Sequence, residues 1–143
     1  MKQLLTDCKK ALRDTLAYIR NSDVYVTEDI RLVRNAGAYP AIGIKDGGIR
    51  YGAEASDQGD ETYSVTFAAY VNLTRQEAGI MGAAGQTGVL DFASDIIACI
   101  QDEDFSGRFD AVLVVSHGES EVIGDESRAL NMLPIKFEFV IYS

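Results

Sequence analysis

Two long stretches of alternating apolar residues constrain this chain most, because a period of two is typical of a strand that buries one face. In "ETYSVTFAAYVNL" the residues on the predicted buried face are Tyr63, Val65, Phe67, Ala69, Val71 and Leu73. The final stretch, "MLPIKFEFVIYS", repeats the pattern with Leu133, Ile135, Phe137, Phe139 and Ile141. Both stretches are therefore predicted to be long strands with one face in a hydrophobic core.

Two other segments have the spacing of amphipathic helices. Apolar residues recur at helical intervals over residues 4–19, and the pattern stops before the turn-forming "NSD". In "VLDFASDIIACI" one helical face carries Val89, Phe92, Ala93, Ile96, Ile97 and Ile100. We expect a helix at each place, the first of them near the start of the chain.

Shorter segments complete the predicted sheet. "VYV" and "IRLVR" read as strands, and "YPAIGI" and "IRYGAEA" flank Asp46, Gly47 and Gly48, whose glycines suit a tight hairpin turn. "DAVLVVS" reads as a buried strand. The order helix, strands, helix, two strands predicts an α+β fold with a single mostly antiparallel sheet and two amphipathic helices packed on one face. We expect a single domain over residues 1–143.

Charge excludes several classes of function. The chain has 13 basic and 22 acidic residues, so its net charge of -9 opposes nonspecific attraction to a nucleic-acid backbone. No segment approaches the roughly 20 consecutive apolar residues of a membrane span. The sequence thus predicts a soluble protein that is made in the cytoplasm and binds no membrane.

The glycine run "GIMGAAGQTG", residues 79–88, has a glycine at every third position. It contains no lysine, so it does not match a triphosphate-binding loop, and its spacing does not match a dinucleotide fingerprint. Thr74 and Glu77 form a capping-box pair before it. A mobile connection is the preferred interpretation, with an anion site as the alternative.

Three other candidate sites are weaker than they first look. "DEDFSG", residues 102–107, resembles a calcium loop, but Leu113 occupies the twelfth place where a glutamate belongs, so an acidic turn is favoured. Cys8 and Cys99 are far apart in sequence and fall in helical patterns, which favours buried thiols over a disulfide or a zinc site. His117 in "SHGES" departs from the nucleophile elbow, so a loop histidine is favoured over a catalytic one. We predict no catalytic, metal or cofactor-binding residues, and a protein that is not an enzyme.

Charged residues on the two helices form stripes of opposite sign. At 100° per residue the basic stripe of the first helix comprises Lys2, Lys9, Arg13 and Arg20, beside the apolar face. The acidic stripe of the second helix comprises Asp91, Asp95 and Asp102. Either these are solvated faces, or they contact neighbouring subunits, or the acidic one faces repelled nucleic acid. Because Lys9 and Arg13 lie off the apolar face, their reversal to glutamate is expected to leave the fold intact.

The order of elements, the long hairpin "AYPAIGIKDGGIRYGAEASDQGDETYSVTFAAYV" and the helix "TGVLDFASDIIACI" resemble the tail terminator, or tail completion, proteins of long-tailed phages. The resemblance covers nearly the whole chain and carries over no catalytic residue. It implies a homo-oligomeric ring, typically a hexamer, that caps the tail tube, ends tube polymerisation and joins the tail to the head connector.

The partners that this resemblance implies are the tail tube protein, the head connector or neck proteins and the sheath protein. DNA would pass through the ring without specific binding, and the protein would reside in the tail or neck of the virion. Two alternatives stay open: another neck or tail-tube structural protein, and a small α+β ligand-binding domain or enzyme, which would need a pocket.

Overall fold

The chain folds into one layer of helices on one mixed sheet. The computed structural model describes residues 1–34, 37–52, 59–73, 80–82, 87–125 and 128–143. Within these ranges the helices and strands are α1 (Lys2–Thr15), β1 (Val24–Val26), β2 (Ala41–Tyr51), β3 (Glu61–Asn72), α2 (Val89–Asp102), β4 (Ala111–His117), β5 (Glu121–Asp125) and β6 (Arg128–Ile141). The predicted α+β class is confirmed.

In the described residues the sheet has six strands, and its main path runs β1-β2-β3-β6-β4. β1 is parallel to β2, and the other pairs are antiparallel. β4 and β5 follow each other along the same side of β6, because β4 pairs with residues 135–140 and β5 with residues 128–132. Between them Gly118 N–H donates to the Pro134 carbonyl at 2.9 Å. One long edge of the sheet is therefore built from two short strands.

Both helices pack on the same face of this sheet. α1 contacts β1 and β2, α2 contacts β3, β4 and β6, and the two helices contact each other. The alternating residues of the two long strands supply the sheet side of the core, as predicted: Val65, Phe67, Ala69, Val71, Leu133, Ile135, Phe137 and Phe139. The period-two pattern thus identified the buried face that holds both helices.

The opposite face of the sheet is also partly covered, which the sequence did not predict. A second core comprises Ala41, Ala68, Tyr70, Ile123, Leu130 and Met132, packed against Tyr25, Ile30, Val33 and Tyr39. The segment "IRLVR" belongs to this cover and is not a strand. Asp29 Oδ1 accepts from Arg31 N–H at 2.9 Å, which turns the chain there and prevents an extended run. The Tyr70 hydroxyl donates to the Ile30 carbonyl and holds the cover to β3.

The predicted hairpin turn at Asp46, Gly47 and Gly48 is wrong. β2 continues through these residues to Tyr51, and the register with β3 shifts between Asp46 and Ile49 as a β-bulge. Gly48 has φ +86°, and its N–H donates to Asp46 Oδ1 at 2.6 Å. Glycine is needed for the bulge, not for a chain reversal. β2 and β3 are joined across residues 53–58, which lie outside the described residues.

Two further expectations about strands and helices need correction. α1 ends at Thr15, because Leu16 adopts φ −94° and ψ 84°, although Leu16 and Ile19 are still buried. "DAVLVVS" is not a buried strand, since β4 lies at the end of the sheet path and Leu113 and Val115 are each 48% exposed. The chain also contains β5, so three strands follow α2 where two were expected.

Half of the glycine run 79–88, namely residues 79 and 83–86, lies outside the described residues, as does the Thr74 and Glu77 pair. The mobile connection expected there stays a prediction. Gly88 is described and precedes α2, where its carbonyl accepts from Phe92 N–H at 3.0 Å.

Candidate subunit interface

Lys2 and Lys9 of the predicted basic stripe line a groove of about 340 Å³ beside α1, at the β1 and β2 end of the sheet. The other residues of this lysine groove are Met1, Leu5, Thr6, Val26 and Asp46. Lys9 is half-buried, and in the described part of the chain neither lysine has an ion-pair partner within 4.0 Å. The groove therefore combines apolar walls with two lysines, which have no ion-pair partner among the described residues and outnumber the one carboxylate, Asp46.

Arg13 is not a solvated member of the stripe. It is half-buried, and its Nη2 donates to the Val24 carbonyl at 3.0 Å, which ties α1 to the start of β1. Its Nε is buried and has no hydrogen-bond partner among the described residues. The helical spacing placed Arg13 correctly beside the apolar face but did not reveal that β1 lies against that flank.

Arg13→Glu is expected to destabilise the protein by about 1–3 kcal/mol, since it removes a partly buried hydrogen bond and puts a carboxylate near the Val24 carbonyl. Lys9→Glu is the matched control and is expected to change stability by less than about 0.5 kcal/mol, because no ion pair or hydrogen bond is lost. Urea unfolding followed by circular dichroism measures both. Equal effects of the two reversals would show that Arg13 has no role in joining α1 to β1.

Arg20 lies beyond the end of α1 and is therefore not on the helical stripe. Its Nε donates to Asp23 Oδ2 at 2.7 Å, so this guanidinium has an ion-pair partner within the subunit. Of the four predicted basic residues, the structure leaves Lys2 and Lys9 as candidates for contact with another molecule.

The acidic stripe of α2 lies beside α1, on the flank of α1 away from the lysine groove. Asp95 and Asp102 of α2 line a groove of about 300 Å³ between the two helices, together with Glu103. An adjoining groove is lined by Asp7 and Asp14 of α1 and again by Glu103. Asp91 is exposed one turn before Asp95. The predicted opposite signs are thus placed on opposite flanks of α1.

Some of these carboxylates already have partners in the subunit. Asp95 accepts from the Tyr18 hydroxyl at 2.7 Å, and burial together with this bond raises the pKa of Tyr18. Asp14 pairs with Lys10 at 2.6 Å, and Asp7 pairs with Arg108 at 2.9 Å. No such pair involving Asp91 or Asp102 is found within the described residues.

A further surface, which the sequence reasoning missed, is the edge formed by β4 and β5. Leu113 and Val115 are each 48% exposed, and Val122 is 56% exposed. Glu119 lies between the two strands, is exposed, and has no ion-pair partner within the described ranges. The apolar pattern of "DAVLVVS" correctly indicated a strand, but a local pattern does not distinguish an edge strand from a central one.

Of the other sequence candidates, the two cysteines and the "DEDFSG" turn make internal contacts, whereas His117 lies on the edge formed by β4 and β5. Cys8 and Cys99 are free and buried between α1 and α2, and burial raises the pKa of each thiol. In "DEDFSG" the Asp104 Oδ1 accepts from Ser106 N–H at 2.9 Å, as in an acidic turn, and Phe105 is buried. His117 is exposed at the end of β4.

The described residues include no group of three or more histidine, cysteine, aspartate or glutamate side chains placed to hold a metal ion. None of the helices in the described ranges is both long and apolar enough to cross a membrane. No family model matches this chain, and no curated protein matches it significantly.

Proposed function

We propose that this protein is a tail terminator of a long-tailed phage, which forms a ring of six copies, caps the tail tube, stops its polymerisation and joins it to the head connector. The proposal rests on the resemblance to tail terminator proteins of the long hairpin and of the segment "TGVLDFASDIIACI", which contains α2. The α+β fold with both helices on one face of one sheet agrees with it.

The observation that carries the proposal is that the sheet ends in two unlike surfaces. At one end are the short strand β1 and the lysine groove, and at the other is the apolar edge of β4 and β5. An exposed apolar edge strand is a liability for a protein that stays monomeric, so natural proteins cover it. A contact between two different patches of identical subunits closes into a ring when the rotation allows it.

The runner-up is another neck or tail-tube protein, which would use the same unlike surfaces but stack its rings into a tube. The described grooves lie along the flanks of α1 and α2, which gives no specific support to a ligand-binding domain or an enzyme. An acidic subunit is compatible with DNA sliding through the ring without being held.

Native mass spectrometry of the purified chain is expected to show one dominant assembly of six subunits. Since exposed ion pairs contribute only about 0–1 kcal/mol each, salt should weaken this assembly without unfolding the subunit. A closed dimer, or a monomer at every concentration, would contradict the proposed ring.

A second experiment separates a terminator from a tube component. The ring is added to polymerising tail tube protein from the same genome, and the tubes are viewed by electron microscopy. A terminator should be found at one end of tubes that no longer grow, whereas a tube component should form tubes itself. Uncapped tubes that grow at the same rate with and without the ring would contradict termination.

A further inference from the structure

The lysine groove has the chemistry of a site for an acidic, partly apolar segment. Its walls include Leu5 and Val26, the latter 48% exposed, and its rim carries Lys2 and Lys9. Asp46 also lines the groove, and its Oδ1 accepts from Gly48 N–H at 2.6 Å. The two lysines outnumber this one carboxylate, so the groove keeps a net positive charge that favours an incoming carboxylate.

The segment 118–122, which comprises the connection from β4 to β5 and the first two residues of β5, matches this chemistry. Glu119 and Glu121 carry its two negative charges, and Val122 is an exposed apolar side chain directly after them. Glu121 is paired with Arg31 at 2.9 Å, which leaves Glu119 as the uncompensated carboxylate. The segment is held at a fixed place on the edge by the Gly118 N–H bond to Pro134.

The lysine groove and segment 118–122 lie at opposite ends of the sheet path, so they do not meet within one subunit. The segment of one copy can instead reach the lysine groove of a second copy. We infer that segment 118–122 of each copy docks into the lysine groove of the next, with Glu119 paired to Lys9 and Val122 against Leu5 and Val26. This inference rests on the proposed ring and names its contact.

The test is a charge exchange across the contact. Lys9→Glu and Glu119→Lys are made singly and together, and association is measured by sedimentation velocity over a dilution series at low salt. Each single reversal is expected to weaken association about tenfold, because attraction is replaced by repulsion. The double exchange restores opposite charges and is expected to return association to within about twofold of the parent.

Lys10→Glu is the matched control, since Lys10 is on the same helix but lies on the acidic flank and pairs with Asp14 at 2.6 Å. It should change association by less than about twofold. Circular dichroism of every variant checks that the subunit is folded.

The outcomes separate the inference from the proposed function. If the parent forms a ring and Lys9→Glu associates as well as the parent, the inference is wrong and the ring proposal survives. If both single reversals weaken the ring but the double exchange is as weak as either, the two residues do not meet and the inference is again wrong. A parent chain that never self-associates overturns both.

Discussion

Phe137→Ala is expected to lower the free energy of unfolding by about 3–5 kcal/mol, the range found when a fully buried aromatic ring is truncated. Phe137 has no exposed surface and lies in β6 between β3 and β4. Its ring centroid is 5.5 Å from that of Phe67 and 6.0 Å from that of Phe139. Alanine would leave a cavity beneath the helix layer that well-packed neighbours fill only in part.

Tyr51→Ala is the matched control, because Tyr51 is also an aromatic residue of the sheet but is 63% exposed. Its loss should cost less than about 1 kcal/mol. Urea unfolding is measured at a protein concentration where both variants have the same assembly state, since association itself adds to apparent stability. Equal losses for the two variants would mean that the helix-side core is not as closely packed as described.

The helix-side core could be predicted from sequence because its signal is local. A strand with one face in the core repeats every two residues, and an amphipathic helix repeats every three to four, whatever they pack against. Phe137 was therefore assigned to the core without knowledge of its neighbours. The same reasoning could not find the second core, because Tyr70 is on the face that alternation predicts to be less buried.

The order of strands could not be read from the chain. β4 is as apolar as a central strand, yet only pairing shows that it lies at the edge. Local hydrophobicity gives the burial that a segment favours, whereas edge or centre depends on contacts between distant segments. Half of the candidate interface was missed for this reason.

The basic stripe was only partly predicted, for two physical reasons. A helical projection assumes that the helix continues, and Arg20 follows its end. A projection also says nothing about what lies beside the helix, and β1 lies beside Arg13 and accepts its hydrogen bond. Lys2 and Lys9 lie within α1 and have no ion-pair partner among the described residues, so these two stay available for contact with another molecule.

Asp23 is a buried charged residue that contacts the cover of the second sheet face. It is 1% exposed and accepts from Arg20 Nε at 2.7 Å, Arg34 Nη2 at 3.1 Å and Ala38 N–H at 3.2 Å. The Arg34 guanidinium in turn lies 3.9 Å over the Tyr25 ring. One buried carboxylate thus contacts both Arg34 and Ala38, which are close in sequence to the residues Val33 and Tyr39 of the second core.

Asp23→Asn is expected to destabilise the protein by about 2–4 kcal/mol, because the buried position loses charge-assisted hydrogen bonds and the half-buried Arg34 guanidinium loses its counter-charge. Asp14→Asn makes the same chemical change in the Lys10 pair, whose side chains are 75% and 61% exposed. This control should cost less than about 0.5 kcal/mol. Urea unfolding of both variants at neutral pH gives the comparison, and a difference below about 1 kcal/mol would contradict the role assigned to Asp23.

The pH dependence of the stability difference between the parent and Asp23→Asn tests whether the charge of the Asp23 carboxylate is responsible. Burial alone would raise the pKa of Asp23, but the hydrogen bonds from Arg20, Ala38 N–H and Arg34 outweigh it and hold the pKa below its usual value. A carboxyl whose folded pKa is lowered stabilises the protein fully above its unfolded pKa of about 3.9, and loses that contribution as the pH falls through the folded value. The stability difference between the parent and Asp23→Asn should therefore be constant from about pH 7 to 5 and shrink below about pH 4. A difference that does not change down to the acid limit of folding would mean that Asp23 acts through packing and not through its charge.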